Sequence, residues 1–163
     1  MKKEFRLISI FVALSVFLCI NPSSILAGDG AVEKVVKDFA KAYFMIDQSM
    51  AGYLNEKALI NENGVNLVDL YIRKKTIEAQ TQGYKLSFLQ KKPVKMKTRV
   101  LNEKGSSAQI LFNSTTIRSI NPLYRIIGST LGVLEEYKVQ DIITVVKENG
   151  EWKIAPGAFD MPI

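Results

Sequence analysis

The chain has 163 residues, with 22 Lys and Arg against 16 Asp and Glu, a single cysteine and no histidine. The last two counts exclude every mechanism that needs a histidine base or ligand, and every disulfide within the chain. A hydrophobic content of 47% excludes wholesale disorder, and the length suits one domain of ordinary size plus a short accessory segment.

That segment reads as an address. Lys2, Lys3 and Arg6 make a basic start, and Leu7 to Ile20 is apolar apart from Ser9 and Ser15. The run is shorter than the roughly 20 residues of a membrane-crossing helix. It breaks at Asn21-Pro22-Ser23-Ser24 and is followed by Ile25-Leu26-Ala27. Basic start, apolar run, breaker and small residue form the pattern of a secretory signal, cleaved after about Ala27. The alternatives are an uncleaved anchor, which the short run disfavours, and a lipid-modified Cys19, which Leu18 in front of it disfavours. The expected organisation is a signal peptide over 1–27 and one domain over 28–163. Cleavage removes Cys19, so the mature domain holds no thiol, which suits a periplasmic or extracellular space.

Asp29 is placed to cap a first helix, in which Val32, Val35, Val36, Phe39, Ala40 and Tyr43 recur at three- and four-residue steps. Asp47 restarts the pattern as a second cap, with Met50, Tyr53, Leu54 and Ala58 continuing it. Asn61 to Gly64 is a turn, and Asn66 caps a third helix through Leu67, Leu70, Tyr71 and Ile77 to a stop at Gly83.

Beyond Gly83 the period changes to two. Val94, Met96, Thr98 and Val100 alternate with Lys95, Lys97 and Arg99, as on a half-buried strand. A turn at Asn102-Glu103-Lys104-Gly105 leads to a strand over 108–119, with Ile110 and Phe112 on one side and Leu111 on the other. A third strand spans 136–147. Asn149-Gly150 then makes a tight hairpin, and Trp152 and Ile154 begin the returning strand. Helices first and an antiparallel meander second predict an α+β fold, three helices on one face of a curved sheet. No repeat, low-complexity tract or linker divides it.

Three stretches carry a resemblance. They are Phe39-Ala-Lys-Ala-Tyr43-Phe-Met-Ile-Asp47, the strand pair around Gly105, and the ending Asp141-Ile-Ile-Thr-Val-Val-Lys-Glu-Asn-Gly150-Glu-Trp152-Lys-Ile154. In this order they resemble the nuclear-transport-factor-2-like family, as an exported bacterial member. The resemblance implies a cone of three helices against a bent antiparallel sheet, with a pocket between them. Some members are isomerases or dehydratases; many bind small molecules or dimerise through the outer sheet face, so the fold alone does not choose the function. Asn121 to Leu134 departs from the family pattern, being longer and more apolar than a hairpin loop needs.

Enzymes of that family resemble one another in using a pocket Asp, Tyr or His. Here Asp141 is the remaining base, with Tyr137 four residues away on the same strand face as a hydrogen-bond donor. The alternative is an Asp141 that faces solvent or pairs with a lysine. Asp47 fits a helix cap better than a pocket. Phe39, Tyr43, Tyr53, Tyr71, Phe112 and Trp152 either line a ligand cavity or fill the core. Lys91, Lys92, Lys95, Lys97 and Arg99 form a basic stripe on one strand, a solvated face or a contact for anionic lipid, cell-wall polymer or an acidic partner. Nucleic acid is not expected, because no stacking aromatics interleave the lysines. The Leu123–Leu134 segment closes over the pocket, meets a second subunit or a membrane, or packs on its own domain. Asn113-Ser114-Thr115 has the form of a glycosylation acceptor but lies in a predicted strand. The sequence has no glycine-rich phosphate loop and no metal-ligand cluster, so no cofactor or metal is expected. The favoured expectation is a non-catalytic domain of the cell envelope that binds a small apolar molecule or a protein partner and pairs as a homodimer. The alternatives are a cofactor-free isomerase or lyase using Asp141 and Tyr137, and a structural envelope component with a basic sheet face.

Overall fold

Valine, phenylalanine and tyrosine at three- and four-residue steps give the first helix one apolar stripe: Val32, Val36, Phe39, Ala40 and Tyr43 are all buried. Its opposite side carries Lys37–Glu33 and Lys41–Asp38 ion pairs at 3.3 and 3.1 Å. In this computed structural model, which describes residues 26–118, 126–128, 130–132, 135–159 and 161, that helix (α1) spans Leu26–Phe44. It is already under way at Leu26, so Asp29 lies inside it and is not its cap; Leu26 and Ala27 are strong helix formers and carry it further back than the expected start. The expected signal peptide, Cys19 included, lies almost wholly outside the described residues. The body of the protein is the compact unit Ala31–Ile163.

α1 ends in a Schellman turn. The Asp47 N–H donates to the Ala42 carbonyl at 2.9 Å and the Ile46 N–H to the Tyr43 carbonyl at 3.1 Å. The left-handed position, normally glycine, is filled by Ile46 at φ 53°, a conformation that costs a β-branched residue about 1–3 kcal/mol. Ile46 tolerates it because its side chain is buried in the core.

Asp47 caps the next segment, its carboxylate accepting from the Ser49 N–H at 2.8 Å. That segment is a 3₁₀ turn, Gln48–Tyr53, and not the α-helix expected. Leu54 is extended and bridges to Ile154, and Asn55 starts a one-turn helix α2, Glu56–Leu59, by accepting from the Ala58 N–H at 2.9 Å. The bridge breaks the helical run that periodicity alone predicts. Hydrogen bonds from the Ser49 hydroxyl and N–H hold the Asp47 carboxyl below its ordinary value near 3.8. The cap's contribution is therefore complete above that value and vanishes as pH falls through the lower folded one. Asp47→Ala is expected to cost about 1 kcal/mol near neutrality, with the gap to wild type closing in acid; urea unfolding at several pH values checks both.

The Asn61–Gly64 turn forms as expected, its Gly64 N–H donating to the Asn61 carbonyl at 2.9 Å. Helix α3, Leu67–Thr81, is capped by Asn66, which accepts from the Val68 and Asp69 N–H groups. Its buried residues are Leu67, Val68, Tyr71 and Ala79. Leu70 and Ile77, read from sequence as part of the helix's apolar series, are instead exposed, because at 3.6 residues per turn they fall on the side of the helix opposite Val68, Tyr71 and Ala79.

Four strands form an antiparallel sheet in the order β1-β2-β3-β4: β1 Lys91–Lys104, β2 Ser107–Arg118, β3 Glu136–Glu148 and β4 Glu151–Ile154. The first hairpin is tighter than expected. Lys104 pairs with Ser107, so Asn102 to Lys104 belong to the strand and only Gly105 and Ser106 turn. At the second hairpin Asn149 and Gly150 have φ 52° and 86°, as a type I′ turn requires. β2 alternates from Ala108 to Thr116, with Ala108, Ile110, Phe112, Ser114 and Thr116 buried, and Ile117 is buried after them. The apolar members of this row meet Ile143 and Val145 of β3 and the apolar face of α1 in one core.

β1 does not alternate throughout. Register shifts between Pro93 and Lys95, and between Val100 and Asn102, leave Val94 and Leu101 bulged. Val94, expected to face inward, is 61% exposed. Because a one-residue slip exchanges the two faces, Lys91, before the first bulge, shares the inner face with Met96, Thr98 and Val100. Lys95, Lys97 and Arg99 occupy the outer one. Lys91 is thus removed from the stripe that the sequence assigns it.

Within the expected Leu123–Leu134 segment the described residues 126–128 are helical, with Ile126, Ile127 and Leu131 exposed; much of that segment lies outside the described residues. Among the described residues no helix is long and apolar enough to cross a membrane.

Candidate functional site

A cavity of about 370 Å³ lies between the helices and the inner face of the sheet. The last turn of α1 contributes Tyr43 and Phe44, with Ile46 just beyond it; α3 contributes Tyr71 and Lys75, and β3 contributes Val139, Gln140 and Asp141. Leu89, Lys91 and Phe159 complete its wall.

Several wall residues owe their place to a local cause. The left-handed turn at Ile46 swings the chain away from the helix axis and leaves Ile46 in the wall. The bulge at Val94 turns Lys91 inward. Phe159, also left-handed at φ 52°, comes back from the last strand to seat its ring among aromatic neighbours. It stacks on Tyr43 at 4.7 Å and on Phe39 at 5.8 Å, and meets Phe112 edge-on at 5.4 Å. Tyr43 in turn stacks on Tyr71 at 5.0 Å. Such pairs contribute about 0.5–1.5 kcal/mol each beyond their buried area.

Asp141 holds Phe159 in place. One carboxylate oxygen accepts from the Phe159 N–H at 2.7 Å and the other from the Ile142 N–H at 2.7 Å. Each oxygen thus accepts one main-chain N–H bond and keeps a second acceptor site. Asp141 is half-buried and has no ion pair with a lysine among the described residues. Tyr137 does share its strand face, as the alternation of β3 requires. The Tyr137 hydroxyl, however, donates to the Glu135 carboxylate, which raises it above the ordinary tyrosine range. It does not line the cavity.

Three charged groups line the cavity: the Lys75 and Lys91 ammonium groups and the Asp141 carboxylate. The Lys75 ammonium contacts the Glu78 carboxylate at 2.8 Å. The Lys91 ammonium lies 4.3 Å from the centre of the Tyr137 ring and has no ion pair among the described residues. A wall of aromatic and aliphatic side chains interrupted by Lys75, Lys91, Gln140 and Asp141 accommodates a small amphipathic molecule.

Of the aromatic residues read from sequence as a pocket, Tyr43 and Tyr71 line the cavity. Phe39 and Phe112 are wholly buried behind it. Tyr53 packs on the outside of the core in the 3₁₀ turn. Trp152, on edge strand β4, lies under the Lys147 ammonium at 5.5 Å; its strand pairs with the far end of β3 from the cavity. Ile46, Lys75, Leu89, Lys91 and Phe159 are wall residues that sequence reasoning does not place there. Only the short tail Gly157-Ala158-Phe159 carries a signal, an aromatic residue placed after a conformationally free glycine.

Among the described residues no group of histidine, cysteine, aspartate or glutamate could hold a metal. No protein-family model matches the chain, and no characterised protein matches it in sequence.

Proposed function

We propose that this protein is an exported, non-catalytic domain of the nuclear-transport-factor-2-like kind, in which the helices and sheet form a cone. In this reading the cavity binds a small apolar or amphipathic molecule. The observation that carries it is the cavity itself: about 370 Å³, within the range of small-ligand sites, lined by Tyr43, Tyr71, Val139 and Phe159 together with Lys75, Lys91 and Asp141. Export rests on the basic start, apolar run and small residue of the leader.

The test uses 8-anilinonaphthalene-1-sulfonate, an apolar ring system with an anionic head. The protein should enhance its fluorescence saturably, and decanoate should displace it. Val139→Phe places a ring in the cavity and is expected to weaken binding by about tenfold or more while leaving the far-ultraviolet spectrum unchanged, since overpacking of a half-buried wall costs about 1–3 kcal/mol of stability. Absence of saturable binding, or equal affinity in Val139→Phe, would overturn the reading.

A further inference from the structure

The sheet's outer face carries a charge pattern that the cavity does not use. Antiparallel register places Lys95, Thr115 and Lys138 in one row across β1, β2 and β3. The next rows are Lys97–Asn113–Gln140 and Arg99–Leu111–Ile142. Lys138 is distant from the stripe in sequence and is delivered to it only by strand pairing. Neighbouring cations along β1 are roughly 7 Å apart, and Lys95 and Lys138 lie roughly 9.5 Å apart across the intervening strand. In the row before these, Glu136 stands across from Lys92. None of Lys95, Lys97, Arg99 and Lys138 has an ion pair among the described residues, and all four are exposed.

Aliphatic side chains are interspersed with these charges. Ile142 is 54% exposed in the Arg99 row, and the bulged Val94 is exposed beside Lys95. A soluble polyanion would leave such side chains in water. A second copy of this face would oppose like charges. A lipid surface satisfies both features, since the ammonium groups reach phosphates while short aliphatic groups enter the headgroup boundary.

We propose that the outer face of the sheet docks on an anionic phospholipid surface through Lys95, Lys97, Arg99 and Lys138. This is independent of the ligand cavity, which opens on the other face of the sheet.

The test is sedimentation of the full chain with phosphatidylcholine vesicles, with and without about a quarter phosphatidylglycerol, between about 0.05 and about 0.5 M salt. Wild type should bind the anionic vesicles preferentially and lose that preference at high salt. The triple substitution Lys95→Gln, Lys97→Gln, Lys138→Gln should weaken anionic binding by about a hundredfold, since each cation at such a surface contributes about fivefold. A control triple of exposed lysines on the helical side, Lys57→Gln, Lys74→Gln, Lys85→Gln, should stay within about threefold, because charges beyond a Debye length are screened. The apolar leader is common to all three proteins, so its contribution cancels. Four results would overturn the proposal: equal binding to both vesicle types, equal loss in both triples, capture by polyphosphate in solution without vesicle binding, or a homodimer that the face triple dissociates.

Discussion

Asp141→Ala is expected to lower the stability of the protein by about 2–4 kcal/mol, because two hydrogen bonds to a charged acceptor are lost together. Both bonds are short, 2.7 Å each. One of them holds Phe159 in a left-handed conformation that a phenylalanine would otherwise leave at a gain of about 1–3 kcal/mol. Removing the carboxylate therefore releases the strain and the ring together, and the aromatic cluster over the cavity opens. Asp141→Asn keeps one acceptor oxygen and should cost about half as much. Urea unfolding measures the stability change, and limited proteolysis around 155–161 should accelerate in Asp141→Ala before global unfolding. A variant as stable and as protease-resistant as wild type would show that Asp141 does not anchor the tail.

Phe112→Ala should be costlier still, about 3–5 kcal/mol, the range for truncating a fully buried phenylalanine. Phe112 is wholly inaccessible at the middle of β2, with Phe44 at 6.4 Å and Phe159 edge-on at 5.4 Å. Its removal deletes buried area and leaves a void that neighbours on different elements cannot all move to fill. The midpoint of urea unfolding should fall with an unchanged slope. Phe112→Leu, which retains most of the volume, should recover more than half of the loss. Anilinonaphthalene binding should persist in any Phe112 variant that remains folded, since the side chain lies behind the cavity wall.

Phe112 and Asp141 differ in how far a linear pattern reveals them. Phe112 and Ile110 can be assigned to the buried side of a strand because β2 keeps a period of two from Ala108 to Thr116, and the α1 stripe is equally plain. The caps at Asp47 and Asn66 and the Asn149-Gly150 turn are legible for a related reason: each depends on a side chain bonding to, or freeing, the backbone within a few residues. The continuation after Asp47 is not legible. Leu54 is drawn out of the helix by a bridge to Ile154, one hundred residues further along. Lys91 obeys the same logic. Its residue type and spacing fit the stripe, and a single bulged residue, Val94, moves it to the opposite face.

Local chemistry thus determined the class of fold: helices followed by an antiparallel sheet, with most of their starts, stops and buried sides, because periodicity and capping act over three to seven residues. Tertiary structure alone decided the site. Asp141 gains its hold on the tail only when the chain returns, one of its oxygens accepting from Phe159 and the other from the neighbouring Ile142. Phe159, Ile46 and Lys91 enter the cavity through backbone geometry that their own side chains do not favour. Lys138 joins the outer cations by register. Such placements depend on contacts between residues far apart in the chain, whose closure no short sequence window records.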